Sequence, residues 1–137
     1  MSEIRREIAE TETACGRLCG SVRLIGVTKF IDVDRIRPAL EAGLTDVGEN
    51  RAQELVEKGE FFDSFGVRKH FIGTLQTNKV KYLVGKVDLI QSVDREAVLR
   101  EVNRLAEKAG VVQDILIEVN IGREEQKSGI NEDNLPE

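Results

Sequence analysis

Apolar residues recur along this chain in two alternating rhythms, short β-like runs and stripes at helical spacing. Residues 2–18 predict a helix, with Ile4, Ile8 and Leu18 on an otherwise charged segment that ends near Gly20. Residues 22–29 (Val-Arg-Leu-Ile-Gly-Val-Thr-Lys) predict a first strand. Asp32 and Asp34 suit a helix start, Ile36, Ala39 and Leu40 form its stripe, and Gly43 stops it. Residues 45–50 predict a short strand and its exit, followed by a helix through Gln53, Leu55 and Val56 that ends at Gly59. The pattern then repeats, with a strand at 70–73, a helix near 78–84 and a strand at 87–93. Asp94 is placed to cap an amphipathic helix carrying Val98, Leu99, Val102, Leu105 and Ala106, with Gly110 at its end. A fifth strand covers 114–120. The tail, 121–137, is polar and reads as a loop running toward a helix that has no room to form.

Five strands alternating with helices imply parallel pairing through right-handed crossovers. An open doubly wound sheet and part of an eight-fold barrel both fit, the complete barrel normally needing about 250 residues. In either case, function belongs at the carboxyl ends of the strands. No linker rich in Pro, Gly or Ser divides the 137 residues, so one domain spanning 1–137 is expected.

Composition narrows the classes. Hydrophobic residues make up 40% and charged residues 33%, which excludes a disordered tail, a fibre and a membrane bundle. The formal net charge of −5 and only six aromatics, five Phe and one Tyr, argue against a nucleic-acid partner. The start, Met1-Ser2-Glu3-Ile4-Arg5-Arg6-Glu7, is charged and no long apolar run follows, so no membrane partner and a cytoplasmic location are expected. Cys15 and Cys19, about a helical turn apart, are poorly placed for a disulfide and too few for a zinc site. They are expected to be two small buried thiols in a reducing compartment.

The strand ends carry the candidate chemistry. They are Thr28-Lys29, Gly48-Glu49-Asn50-Arg51, the run from Gly73 to Lys79, Ser92-Val93-Asp94, and Asn120. By period two, Lys29 shares a face with Val27 and Ile25, and Asn120 with Glu118 and Leu116. A lysine on the inner face of a sheet is partly desolvated, which lowers its pKa and frees the amine to attack a carbonyl. A solvated amine snorkelling from the strand end is the other reading of the same residue. No GxGxxG or GxxxxGK[ST] follows any strand, His70 is the only histidine, and no Ser or Cys has partners for a hydrolase triad. No catalytic residue and no metal site is predicted.

At these positions the sequence resembles a known family. Val27-Thr28-Lys29, the run Gly48-Glu49-Asn50-Arg51-Ala52-Gln53-Glu54, the segment His70-Phe71-Ile72-Gly73-Thr74-Leu75-Gln76-Thr77-Asn78-Lys79, Ser92-Val93-Asp94, and Val119-Asn120 followed by Glu124, Lys127, Ser128 and Gly129 occur in order and at matching spacing. Together they resemble the pyridoxal phosphate homeostasis proteins, also known as the proline synthetase co-transcribed bacterial homologue family, from about Arg5 to Gly129. The resemblance implies an α/β fold similar to the N-terminal (β/α)8 TIM-barrel domain of alanine racemase, here only its first five β/α units. It implies pyridoxal 5′-phosphate as cofactor at the carboxyl face. Lys29 matches the family lysine that holds the cofactor as a Schiff base. Asn50, Ser92 and Asn120 match positions lining the cofactor pocket. Gln91 departs from the family, where many relatives have His or Glu.

The same resemblance places the phosphate-binding segments, a Gly-Met-Ser and a Ser/Thr-x-Val-Arg-Ile-Gly, in the last three strands of the barrel, beyond the end of this chain. A truncated family member is therefore expected. Its implied function is intracellular homeostasis of the cofactor without turnover of a substrate, with apo-enzymes that need the cofactor as further partners. Longer relatives are expected to be monomers, whereas this chain, with open sheet edges, is expected to self-associate. Two competing readings remain. An alanine-type racemase needs acid/base groups on both faces of the substrate carbon, and the only tyrosine, Tyr82, lies on a predicted helix. A flavodoxin-like module without the cofactor fits the five units by count alone.

Overall fold

The computed structural model describes residues 1–124 and 126–134. Its centre is a parallel sheet of five strands: β1 (Gly26–Val27), β2 (Asp46–Glu49), β3 (Arg68–Phe71), β4 (Leu89–Val93) and β5 (Asp114–Ile117). Each strand pairs with its sequence neighbour, in the order β1-β2-β3-β4-β5. That order decides between the two architectures. A doubly wound sheet reverses direction at a switch point, whereas a barrel wall adds each new strand on the same side. The chain is an α/β fold forming part of a barrel wall.

The helices are α1 (Ser2–Ala14), α2 (Val33–Glu41), α3 (Ala52–Glu57), α4 (Gly59–Phe65) and α5 (Glu96–Ala109), with 3-10 turns at Thr77–Tyr82 and Glu132–Asn134. Two apolar clusters fill the outer side of the sheet. In one, Ile36 and Leu40 of α2 meet Leu44, Val47 of β2, Phe62 of α4 and Val67. In the other, Leu55 of α3 and Val98 and Val102 of α5 close over Phe71, Leu75, Val80, Leu83 and Ile90. The stripe read on residues 98–106 is therefore the buried face of α5, and Gly110 ends it at φ +66°.

Side chains alternate across the sheet. Val47 points outward into the α2–α4 cluster, so Gly48 points inward, where an added Cβ would meet Ile25 and Ile72. Register places Val27, Gly48, His70, Leu89 and Asp114 in one inward row. In a closed barrel, opposite strands would cover this row. Here the inner face is partly open, with Val27 53% and Leu116 50% exposed.

Several sequence expectations are corrected. The first helix stops at Ala14, not residue 18. Its one buried side chain is Glu12, which accepts hydrogen bonds from the Gly20 and Val22 amides and the Ser21 hydroxyl. The segment is thus pinned by polar contacts rather than by its apolar residues. Cys15 and Cys19 lie beyond that helix and are both exposed, not buried thiols. β1 is only two residues long, and Lys29 falls in the turn after it rather than on the strand. Gly59 starts α4 instead of ending the preceding helix. Arg95, not Asp94, is the N-cap of α5, and Asp94 pairs with the Arg95 guanidinium at 2.6 Å. After β3 the expected helix is a 3-10 turn. The expected end of the tail, at 135–137, lies outside the described residues. No helix among the described residues is long and apolar enough to cross a membrane.

Candidate functional site at the carboxyl rim

Parallel strands bring Lys29, Asn50, Gly73, Ser92 and Asn120 to one rim of the sheet. Lys29 occupies the turn between β1 and α2. The Thr28 amide donates to the Gly48 carbonyl at 3.0 Å, which continues the ladder one residue past β1, and the Ile31 amide donates to the Thr28 carbonyl at 3.1 Å. Between them, Phe30 takes a left-handed backbone at φ +60°. Lys29 itself is half-buried, and its amine has no ion pair or hydrogen bond among the described residues.

A second lysine lies behind the turn in a different state. Lys58, at the α3–α4 junction, donates to Glu49 Oε1 at 2.7 Å, to Glu54 Oε2 at 3.1 Å and to the Thr28 carbonyl at 2.9 Å. Burial works against its charge. The hydrogen bonds and charges of Glu49 and Glu54 outweigh that penalty and raise its pKa above the ordinary lysine value. Glu54 is likewise resisted by burial, yet its pKa is held low by the Phe30 amide and by Lys58. All three hydrogens of the Lys58 ammonium are thus engaged, so it has no lone pair to offer a carbonyl. Of the two amines at this strand end, only Lys29 is without a hydrogen bond or ion pair among the described residues.

The other predicted positions divide. Asn50 is half-buried at the end of β2 and lines a cavity of about 190 Å³ with Arg51, Gln53, Thr74, Gln76 and Lys79. Lys29, Ser92 and Asn120 are not part of that lining. Ser92, buried beside the irregularity in β4, donates to the Gly73 carbonyl at 2.5 Å. Asn120 orders its own loop: its side chain donates to the Glu124 carbonyl at 2.9 Å and accepts from the Glu124 amide at 3.3 Å. Gly73 is required where it stands, because a Cβ there would lie 2.2 Å from the Asn50 carbonyl oxygen. The ends of β2 and β3 therefore meet backbone to backbone.

Two polar groupings were not legible as sites in the sequence. One is the Glu49–Lys58–Glu54 cluster, for which the only advance signal is the i, i+4 spacing of Glu54 and Lys58. The other crosses the inner face lower down, where His70 Nε2 donates to Asp46 at 3.0 Å and the Gln91 amide donates to His70 Nδ1 at 3.0 Å. A larger cleft of about 620 Å³ opens at the opposite end of the sheet, between α1 and Arg23, Asp46 and Arg68, away from every predicted site residue.

Comparison with known proteins finds relatives that share one name. Along its whole length the chain is 43% identical to the pyridoxal phosphate homeostasis protein of Aquifex aeolicus, covering 60% of that protein. It is 37% identical over 129 residues to the protein of the same name from Haemophilus influenzae, covering 54% of it. The chain is homologous to the N-terminal part of the pyridoxal phosphate homeostasis proteins. It spans between 54% and 60% of the length of these two relatives. A crystal structure of a protein from Bifidobacterium adolescentis superposes with a TM-score of 0.85 at 35% identity, over 95% of this chain and 57% of that one. PipY of Synechococcus elongatus PCC7942, in a structure with pyridoxal phosphate bound, superposes with a TM-score of 0.74 at 32% identity, over 90% of this chain and 58% of PipY. No family model matches the chain.

The inner polar row sets an acid limit for this chain. Burial opposes the charge of Asp46, but hydrogen bonds from Thr45 and His70 and the nearby Arg23 outweigh it, so its pKa lies below the ordinary Asp value. A folded-state pKa below the unfolded one contributes stability in full above the unfolded pKa and loses it as pH falls through the folded pKa. Urea midpoints should therefore be flat near neutrality and fall below about pH 4. The acid-induced fall should be smaller in Asp46→Asn. An equal fall in that variant would remove Asp46 from the account.

Proposed function

We propose that this chain contributes the aldehyde-binding half of a pyridoxal 5′-phosphate-carrying barrel, with Lys29 as the amine that holds the cofactor, in cytoplasmic homeostasis of that cofactor. The observation that carries the reading is the contrast between the two lysines: Lys58 is locked as an ammonium in three hydrogen bonds, and Lys29 is unengaged at the rim. The name shared by the relatives and the bound cofactor in PipY support it. When bound, the cofactor supplies an aldehyde, with which a neutral amine condenses to a Schiff base and releases one water.

The residues present fit the aldehyde end of that group. Asn50 stands at the neighbouring strand end with a free side-chain amide among the described residues, placed to orient a ring substituent. Ser92 and Asn120 act one step back, Ser92 by tying the β4 end to Gly73 and Asn120 by shaping the loop after β5. The resemblance assigns the phosphate contacts to segments beyond these residues. The domain is accordingly an incomplete binding barrel.

The names of the relatives describe homeostasis rather than an enzyme. A racemase would need a second acid/base group opposite Lys29. Tyr82 lies in the 3-10 turn after β3, with the Lys79 and Lys81 ammonium groups 5.6 and 5.1 Å from its ring centre, in a different β/α unit from Lys29. The partners of this reading are the cofactor and the apo-enzymes that receive it.

Borohydride reduction in the presence of pyridoxal phosphate tests the assignment. It should fix a pyridoxyl group on the tryptic peptide containing Lys29 and leave Lys58 unlabelled. Lys29→Arg should abolish the label without unfolding the chain, because a guanidinium stays protonated. Label on Lys58 with Lys29 unmodified would sink the proposal. The unpaired outer edges of β1 and β5 and the open inner face should also drive self-association of this chain. Size-exclusion chromatography should show dimers or larger species, and a clean monomer contradicts that part.

A further inference from the structure

The lysine turn does not hold itself. Phe30 sits in the left-handed region, which an aromatic residue rarely adopts, and the residue is 66% exposed, so burial does not fix it. The contacts that do fix it come from the next β/α unit. Glu54 of α3 accepts the Phe30 amide hydrogen at 2.9 Å. Arg51, the N-cap of the same helix, lays its guanidinium 4.7 Å from the centre of the Phe30 ring. On the other side of Lys29, the Thr28 carbonyl accepts from Lys58, and the Thr28 hydroxyl donates to Glu49 Oε1 at 2.8 Å. Both residues flanking Lys29 are thus tied into one cluster, and among the described residues none of its members makes a hydrogen bond or ion pair with the Lys29 amine.

As a filler of the core this cluster is a poor choice. Glu49 is 1% exposed and its Oε2 is buried with no hydrogen-bond partner. A carboxylate held that way is paired on one oxygen and orphaned on the other, and an apolar group of the same volume would fill the space without that penalty. What an apolar group could not do is hold Thr28 and Phe30 by directed hydrogen bonds.

We infer that Glu49, Glu54 and Lys58 are positioning residues for Lys29, a brace from the end of β2, α3 and the α3–α4 junction that fixes the 28–31 turn and presents the amine at the rim. The inference rests on the reading of Lys29 as the cofactor lysine. It requires no contact between the brace and the cofactor. Glu54 is its most testable member, since it makes the only side-chain hydrogen bond to the strained residue among the described contacts.

The test uses this chain, pyridoxal phosphate and borohydride, with label on Lys29 measured against label on the exposed Lys108 of α5 in the same sample. Glu54→Ala should lower the Lys29-to-Lys108 ratio about tenfold, the equivalent of one lost hydrogen bond to a charged group. Glu54→Gln, which keeps an acceptor oxygen, should restore most of it. Hydrogen exchange gives a second readout without cofactor: the Phe30 amide should be protected in the unaltered chain and exposed in Glu54→Ala. An unchanged ratio in a folded Glu54→Ala overturns the brace and leaves the Lys29 reading standing. An unprotected Phe30 amide in the unaltered chain overturns the brace even if Glu54→Ala fails to fold. No label on Lys29 in the unaltered chain, with Phe30 protected, overturns the cofactor reading instead and takes the assigned purpose of the brace with it.

Discussion

Each strand lies parallel to its sequence neighbour, and that one constraint decides where any chemistry can occur. Parallel pairing sends every connection back across the outer face, which is why the apolar clusters lie under the helices. It also gathers every strand's carboxyl end on a single rim. Lys29, Asn50, Ser92 and Asn120 are separated by as many as 91 residues, yet all four stand at that rim. The inner face remains the unfinished part, with β1 and β5 as its edges.

Within that frame, the rim is organised by hydrogen bonds between adjacent β/α units. Glu54 and Lys58 reach from the second unit to the turn of the first, and Ser92 reaches from β4 to Gly73 after β3. Neighbouring units therefore build each other's loops. The first unit depends on this most, because β1 has only two residues and its turn carries a strained aromatic. The carboxylate pair has a further consequence: it keeps Lys58 charged and occupied, whereas Lys29 has no hydrogen bond or ion pair among the described residues.

Much of this was legible in the chain. The stripes at 36–40 and 98–106, with Gly43 and Gly110 after them, became buried helix faces because periodicity and stop signals agreed. The strand ends were found within a few residues for the same reason. What periodicity could not reveal were polar contacts made across the fold. Glu12 pins the segment after α1 from inside a charged helix, and Glu49 meets Lys58 across a strand–helix junction. Neither leaves an apolar signature. Two exposed cysteines read as buried thiols show the opposite error, a residue-type preference overridden by a helix that ends early. For Lys29 the sequence offered two readings: strand parity placed it on the inner face, and only the family resemblance favoured a reactive amine over a solvated one.

The central claim is that these residues supply the amine end of a cofactor site whose phosphate contacts lie elsewhere. Each charge-assisted hydrogen bond to a phosphate contributes about 1.5–3 kcal/mol, roughly tenfold to a hundredfold in affinity. Titrating this chain with pyridoxal phosphate and with unphosphorylated pyridoxal, following the long-wavelength absorbance of the Schiff base, measures that contribution directly. The account predicts a Lys29-dependent band with both ligands and affinities within about tenfold of each other. A preference for the phosphorylated ligand of roughly a thousandfold or more would contradict it, since the phosphate would then be held by the residues described above.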